Sequence, residues 1–438
     1  MTQKIPIEMQ KLGEIYDERD NENIRKTLSL ASFPMLVQKT KFGPAYPKCV
    51  ENIFVILTHH PDFAGNFRFD SWTNKMEIRK KGNEWGYIKE YDYIYIQRII
   101  QRLYNQFSTI GKELVIDAVE SACRENTYDS AENYLRSLEW DMKPRLKSFI
   151  SNAFNVEKSK YHSAVGENFF KGMAKRIIDP GCKFDTMVIL VGDQGIEKSK
   201  AFETIASKPW YVETALNVEN KDFFMQFQGK LIVEFSEGET MSRSDAKHLK
   251  AVVSTPVDTY RASYGRITED HPRRCVFTMT TNQIEVLKDE TGARRYYPIN
   301  VDQQVNIQYI KDNRDQLFAE ALYRVECLNE KFWEYPEEES KNAQAQFMVR
   351  SQFEDTIDKW LENPIGMNGH KIDIESNGLI ISDIWVYCLN GDKSRFSKRD
   401  EMAIGLALVG LGYEKSKRMI DGIRKVRWYK KGSTTPLV

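Results

Sequence analysis

Met187-Val-Ile-Leu-Val-Gly-Asp-Gln-Gly-Ile-Glu-Lys-Ser199 is the stretch on which the reading of this 438-residue sequence turns. Its five consecutive apolar residues, too few for a helix and closed by glycine, predict a strand buried on both faces. The strand runs directly into Gly192, Gln194, Gly195, Lys198 and Ser199, and a helix-compatible Ala201-Phe-Glu-Thr-Ile-Ala206 follows. Strand, glycine loop, Lys-Ser and helix are the parts of a Walker A site, where loop amides and a helix N-terminus hold phosphates. In such a site Lys198 contacts the β and γ phosphates of ATP, and the Ser199 hydroxyl ligates Mg²⁺. The spacing departs from GxxxxGK[ST] at one place, because Glu197 stands where the pattern has glycine. A carboxylate beside a triphosphate is unfavourable and a side chain opposes close backbone approach, so weak or absent ATP binding is the competing expectation.

Downstream, Leu231-Ile-Val233 leads to Glu234-Phe-Ser-Glu237. An apolar strand ending in acids is the Walker B arrangement, with one carboxylate orienting Mg²⁺ and another polarising the attacking water. Side chains three apart on an extended strand face opposite ways, so both acids reach one site only if the strand ends near Phe235. Glu237 is the expected base and Glu234 the supporting, metal-side acid, with a purely structural carboxylate as the alternative for Glu234. A third strand candidate, Cys275-Val-Phe-Thr-Met279, ends in Thr280-Thr-Asn282, and Asn282 there can hold the water or sense the γ phosphate. Seen alone, Thr-Thr-Asn is a common turn. Next comes Gly292-Ala-Arg-Arg-Tyr-Tyr-Pro298, whose Arg294 and Arg295 can stabilise transition-state charge if one subunit presents them to its neighbour's nucleotide. Surface salt bridging is the plainer reading. Between acids and sensor, Asp258-Thr-Tyr-Arg-Ala-Ser-Tyr-Gly-Arg266 interleaves aromatics with arginines around a glycine turn. It reads as a hairpin whose Arg261, Tyr264 and Arg266 offer stacking and phosphate contacts to single-stranded DNA, or else as a solvated hairpin.

Apolar strands separated by helix-length segments predict an α/β core with a buried, largely parallel sheet. The rest divides by composition. Residues 1–134 mix a strand-like Asn66–Asp70 with a helix candidate Tyr95–Phe107, a mostly helical α+β domain for oligomerisation or DNA association, followed by a core over 135–330. Residues 331–346 contain the acidic Tyr335–Gln346 stretch, a linker or exposed helix start. Residues 347–438 read as a winged-helix-like module: helices through Trp385, over Arg399–Val409 and over Lys415–Ile423, then a short strand Val426–Tyr429. Lys415, Lys417, Arg418 and Arg424 would meet duplex DNA there.

Lys plus Arg and Asp plus Glu both number 63, so any nucleic-acid surface must be local. Between Lys393 and Lys431 twelve basic residues face four acidic ones, which makes that module the local excess. No apolar run approaches the roughly 18 residues of a membrane span. Six scattered cysteines without a CxxC pair fit a reducing, cytoplasmic setting.

Taken in order and spacing, these residues resemble the virulence-associated protein E family of phages and mobile genetic islands, related to superfamily 3 helicases. The resemblance rests on Leu138-Glu-Trp-Asp-Met-Lys-Pro-Arg-Leu146, the loop 192–199, Lys221-Asp222, Glu234 to Glu237, Tyr260-Arg-Ala-Ser-Tyr-Gly-Arg266, Thr281-Asn282 and Gly292-Ala-Arg-Arg295. Met142 and Lys200 depart from the family pattern, which has glycine and a small hydroxyl there. The resemblance implies an AAA+-like P-loop core that assembles as a ring, commonly a hexamer, with nucleotide between neighbours and hairpins facing DNA in the channel. It also implies a replication role in a bacterial host cell. A non-hydrolysing DNA-binding ring or regulatory protein with a degenerate loop is the rival expectation.

Overall fold

The computed structural model describes residues 29–79, 84–218, 220, 222–235, 243–261, 267–283, 293–347, 351–366, 369–420 and 423–432. Glu237, Tyr264 and Arg266 lie outside the described residues, as does Lys221.

Towards the N-terminus, helix α1 (Val50–His59) precedes strands β1 (Phe67–Asp70), β2 (Lys75–Arg79) and β3 (Trp85–Tyr87), then α2 (Glu90–Leu103), α3 (Lys112–Glu125), β4 (Thr127–Tyr128) and α4 (Ser130–Ser137). The strands form one sheet in the order β3-β2-β1-β4. Its apolar face packs on Ile53, Ile56, Ile96, Ile100, Val115 and Val119 of the helices, a core separate from the next one.

The central unit has α5 (Phe149–Phe154), α6 (Lys160–Ile178), β5 (Met187–Val191), α7 (Lys198–Ala206), β6 (Tyr211–Thr214), β7 (Ile232–Phe235), α8 (Arg243–Ser254), β8 (Val257–Tyr260), β9 (Glu269–Pro272), β10 (Val276–Thr281), β11 (Tyr296–Asn300) and α9 (Ile307–Glu326). Five strands make a parallel sheet in the order β11-β5-β10-β7-β6. All five residues of β5 are buried because side chains of alternating parity enter two cores. Val188 and Leu190 join Phe170, Met173 and Phe318 of α6 and α9, whereas Met187, Ile189 and Val191 join Leu249, Val252 and Val253 of α8. The sheet is thus covered on both faces, as its unbroken apolar strands anticipate. Strands β8 and β9 pair as the expected hairpin, Val257↔Pro272 through Tyr260↔Glu269, with Arg273 and Asp258 forming a buried ion pair at its root.

The Trp-Asp-Met-Lys-Pro-Arg segment is a structural clasp on α9. Arg145 grips both carboxylate oxygens of Asp141 at 2.6 and 2.7 Å and donates to Asn313 at 3.0 Å, while the amides of Arg145 and Leu146 donate to the fully buried Glu320. Met142 sits in the left-handed region with φ 63°, so the backbone keeps the conformation that glycine adopts most cheaply.

The units interlock through Trp72. This side chain, on the turn between β1 and β2, is completely buried in the central core, 5.4 Å from the Trp210 ring and beneath the Arg274 guanidinium at 4.7 Å. Arg274 also pairs with Asp129, which caps α4.

Beyond α9, the acidic stretch forms helix α10 (Glu337–Gln346), packed against the sheet edge with Gln344 donating to the Tyr296 carbonyl and Tyr335 stacked on Tyr297 at 3.8 Å. The C-terminal unit contains α11 (Glu354–Glu362), helical turns over Ile381–Cys388, α12 (Lys398–Gly410), β12 (Tyr413–Ile420) and β13 (Ile423–Lys430). Among the described residues the expected third helix over Lys415–Ile423 does not form: 415–420 and 423 lie in strands β12 and β13, in register from Tyr413↔Lys430 to Ile420↔Ile423. The stretch has no apolar stripe for a helix to bury and finds its hydrogen bonds in the adjacent strand. Arg418 lies over the Tyr429 ring at 3.8 Å, and Lys415, Lys417 and Arg424 are exposed on the ribbon.

Candidate active site

Three of the five parallel strands deliver polar groups to one point at their C-terminal ends. Helix α7 follows the loop after β5 and presents Ser199, β7 presents Glu234, and β10 ends in Thr280. Glu234 has no exposed surface. Its Oε1 accepts from the Ser199 hydroxyl and the Thr280 hydroxyl, both at 2.6 Å, and its Oε2 accepts from the Tyr211 phenol at 2.7 Å. Burial pushes the carboxyl pKa up, and the three hydroxyl donors pull it back towards the charged form. Each oxygen is already engaged, so the geometry makes Glu234 the group that aims Ser199 and leaves the serine oxygen's lone pairs for a cation. Thr280 and Tyr211 were not legible as site residues in the sequence. Thr280 lies two places before Asn282 in the same Thr-Thr-Asn run and carries no signal that separates it from a turn residue, and Tyr211 opens a strand with no motif.

The loop is shaped by contact with β11. A Cβ on Gly192 would lie 2.1 Å from the Val301 carbonyl oxygen, so only glycine passes. The Val301 and Val305 amides donate to Val191 and Ile196 and tie the loop down. Gly195 turns with φ 88°. Lys198 donates its ammonium to the carbonyls of Gly192 and Asp193 at 2.8 and 2.6 Å, crossing the mouth of the loop. Burial lowers its pKa, opposed by Asp193 and Glu234. At the start of α7 the Lys198 and Ser199 amides have no intrahelical partner, which is the donor set phosphate needs. Gln194 is exposed at the loop tip.

Glu197 is the N-cap of α7 at φ 67° and ψ 31°, again the left-handed conformation. Its carboxylate accepts from Gln304 Nε2 at 2.8 Å, on the segment linking β11 to α9. The backbone path of the loop therefore survives the loss of glycine, and the charge is held to one side. Glu197→Gly is expected to tighten ATP binding by only about threefold, since it removes one partly solvated like charge. Titration with a fluorescent ATP analogue reads this, and a gain of orders of magnitude would show that the carboxylate blocks the site.

Other expected residues fall into place or apart. Asn282 is exposed just past β10, on the same side of the sheet as the loop. Arg294 and Arg295 immediately precede β11, whose Tyr296 is level with Met187, so they sit at the opposite end of the sheet. Five residue steps of strand separate that level from Gly192, roughly 17 Å. Neither arginine can serve the loop of its own chain. Arg295 is committed to Ser254 at 2.9 Å and Asp185 at 3.6 Å, whereas Arg294 is exposed. Arg261 is exposed at the open end of the β8–β9 hairpin.

Ser199 and the amides at the start of α7 are the groups that could hold Mg²⁺ and a phosphate. Among the described residues no cluster of three or more His, Cys, Asp or Glu could cage a metal, and Mg²⁺ characteristically takes one or two protein ligands with the rest from phosphate and water.

Residues 135–352 match the virulence-associated protein E-like domain. This chain carries that domain. The virulence-associated protein E-like domain thus spans the parallel sheet, the glycine loop, the Glu234 cluster, the hairpin and α10. Trp72, buried within it, comes from outside the matched residues. No curated protein matches the chain. Among solved structures, the apo structure of the NrS-1 C-terminal region (305–718) is 16% identical, covering 83% of this chain and 95% of that one at a TM-score of 0.46. The A-form apo structure of the same region is 15% identical, covering 84% and 96%, at 0.47. No helix among the described residues is long and apolar enough to cross a membrane.

Proposed function

We propose that this virulence-associated protein E-like protein is a superfamily 3-type DNA helicase and ATPase that assembles as a hexameric ring and serves replication of a phage or mobile element. The observation that carries this reading is the Ser199–Glu234–Thr280 cluster beneath a glycine loop, at the C-terminal ends of three adjacent strands. The strand order also supports an AAA+-like core, because β10 lies between the loop strand β5 and the acid strand β7. In this reading loop amides and Lys198 hold ATP, and Ser199 takes one position on Mg²⁺. Bound there, Mg²⁺ neutralises charge on the β and γ phosphates. Glu237 is the base, Asn282 positions the water, and Arg294 reaches the nucleotide of the adjacent subunit. The 261–266 hairpin follows single-stranded DNA, and the basic β12–β13 ribbon, as a wing beside α12, grips duplex.

Glu197 favours the rival, a non-hydrolysing ring, and one experiment separates the two. Lys198→Ala and Arg294→Ala subunits are each expected to be inactive, whereas an equal mixture should regain about a quarter of wild-type ATPase, because head-to-tail assembly pairs an intact loop with an intact arginine at that frequency. No activity in wild type with or without DNA supports the rival. An active Arg294→Ala protein removes the role across the interface.

A further inference from the structure

The Tyr211 phenol has no place in the phosphate-loop pattern, yet it makes one of three hydrogen bonds to the buried acid of the site. Tyr211 opens β6, and in the parallel pairing of β6 with β7 it lies level with Ile232, two residues short of Glu234. A long side chain is therefore needed to reach forward along the strand to Oε2. The backbone entering Tyr211 is anchored by its neighbour: Trp210 packs on Trp72 at 5.4 Å and on Tyr134 at 5.5 Å, and the Trp210 carbonyl accepts from the Leu231 amide at 2.7 Å. Both Glu234 oxygens are thereby fixed by groups on different elements, Oε1 by Ser199 and Thr280 and Oε2 by Tyr211.

We propose that Tyr211 is a positioning residue for the metal–nucleotide site: its hydroxyl fixes the Glu234 carboxylate so that the Ser199 hydrogen points inward and the Ser199 oxygen faces the cation. This rests on the phosphate-loop reading above. Without the phenol, the carboxylate can rotate about its last bond, and Oε1 no longer has a unique orientation with which to hold the serine. One oxygen of the buried carboxylate is also left without a donor, so nothing on that side opposes its rotation away from Ser199. Outer-sphere groups of this kind commonly change metal affinity by about 10- to 100-fold when removed.

The test is Tyr211→Phe, which keeps the ring and its packing. The full-length protein is titrated with a fluorescent ATP analogue at fixed concentration while Mg²⁺ is raised, and separately with the analogue in EDTA. The Mg²⁺ midpoint for nucleotide binding is expected to rise by about tenfold with metal-free binding nearly unchanged, and the thermal midpoint falls by a few degrees because a buried carboxylate oxygen loses its donor. Mn²⁺ detected by electron paramagnetic resonance should show the same weakening. An unchanged Mg²⁺ midpoint overturns the proposal, as does an equal loss of binding with and without metal, which would make Tyr211 a packing residue. If wild type and Lys198→Ala bind the analogue equally, the phosphate-loop reading itself has failed, and this proposal with it.

Discussion

Lys198→Ala is expected to abolish measurable ATP binding, with affinity falling at least about 100-fold, because each charge-assisted hydrogen bond to phosphate is worth roughly 1.5–3 kcal/mol and Lys198 supplies more than one. The ammonium now bridges the carbonyls of Gly192 and Asp193, so it already stands over the loop and needs only a small swing to meet a phosphate. Its depressed pKa adds a sign that can be checked. As pH rises, Lys198 loses its charge earlier than an ordinary lysine, and the ATP affinity of the wild type should decline in that range. Isothermal titration calorimetry across pH reads both. Retained binding in the alanine variant would remove the phosphate-loop assignment.

Trp72→Ala should have the largest effect on stability, about 3–5 kcal/mol, as expected for deleting a fully buried aromatic that the surrounding structure cannot close over. The side chain fills the space between Trp210, Arg274 and the central helices, although it belongs to the N-terminal turn. Trp72→Phe should recover much of the loss. Urea denaturation followed by circular dichroism measures the difference, and a change below about 1 kcal/mol would mean that the two units are joined loosely.

How far the sequence disclosed this molecule depended on how local each signal was. Unbroken apolar runs such as Met187–Val191 and Leu231–Val233 announced a parallel sheet because both faces of those strands are buried. The loop was legible because its residues are contiguous. Tyr211 was not, since its role arises from a strand pairing that brings residue 211 beside residue 234. Arg294 could be recognised as a candidate but not as remote from its own loop; only the register Tyr296↔Met187 fixes which end of the sheet it occupies. The C-terminal ribbon misled for the opposite reason. Lys415, Arg418 and Arg424 carry charge but no periodic apolar signal, and the choice between helix and strand fell to pairing with residues 423–430. At Glu197 and Met142 the glycine pattern was broken, yet both residues hold the left-handed backbone.

The separation of the loop from Arg294 by the length of the sheet gives each subunit a polarity. If Arg294 acts across the interface as proposed above, a loop end is completed only by the arginine end of another copy, and a stack of subunits then terminates in one unserved loop and one unused arginine. An open chain thus has one complete site fewer than it has members. Closure alone makes the two numbers equal, and it does so without adding a single new kind of contact. Turnover per subunit should therefore climb with assembly size and step upward at the last joining event, which makes specific activity itself a gauge of whether the assembly has closed.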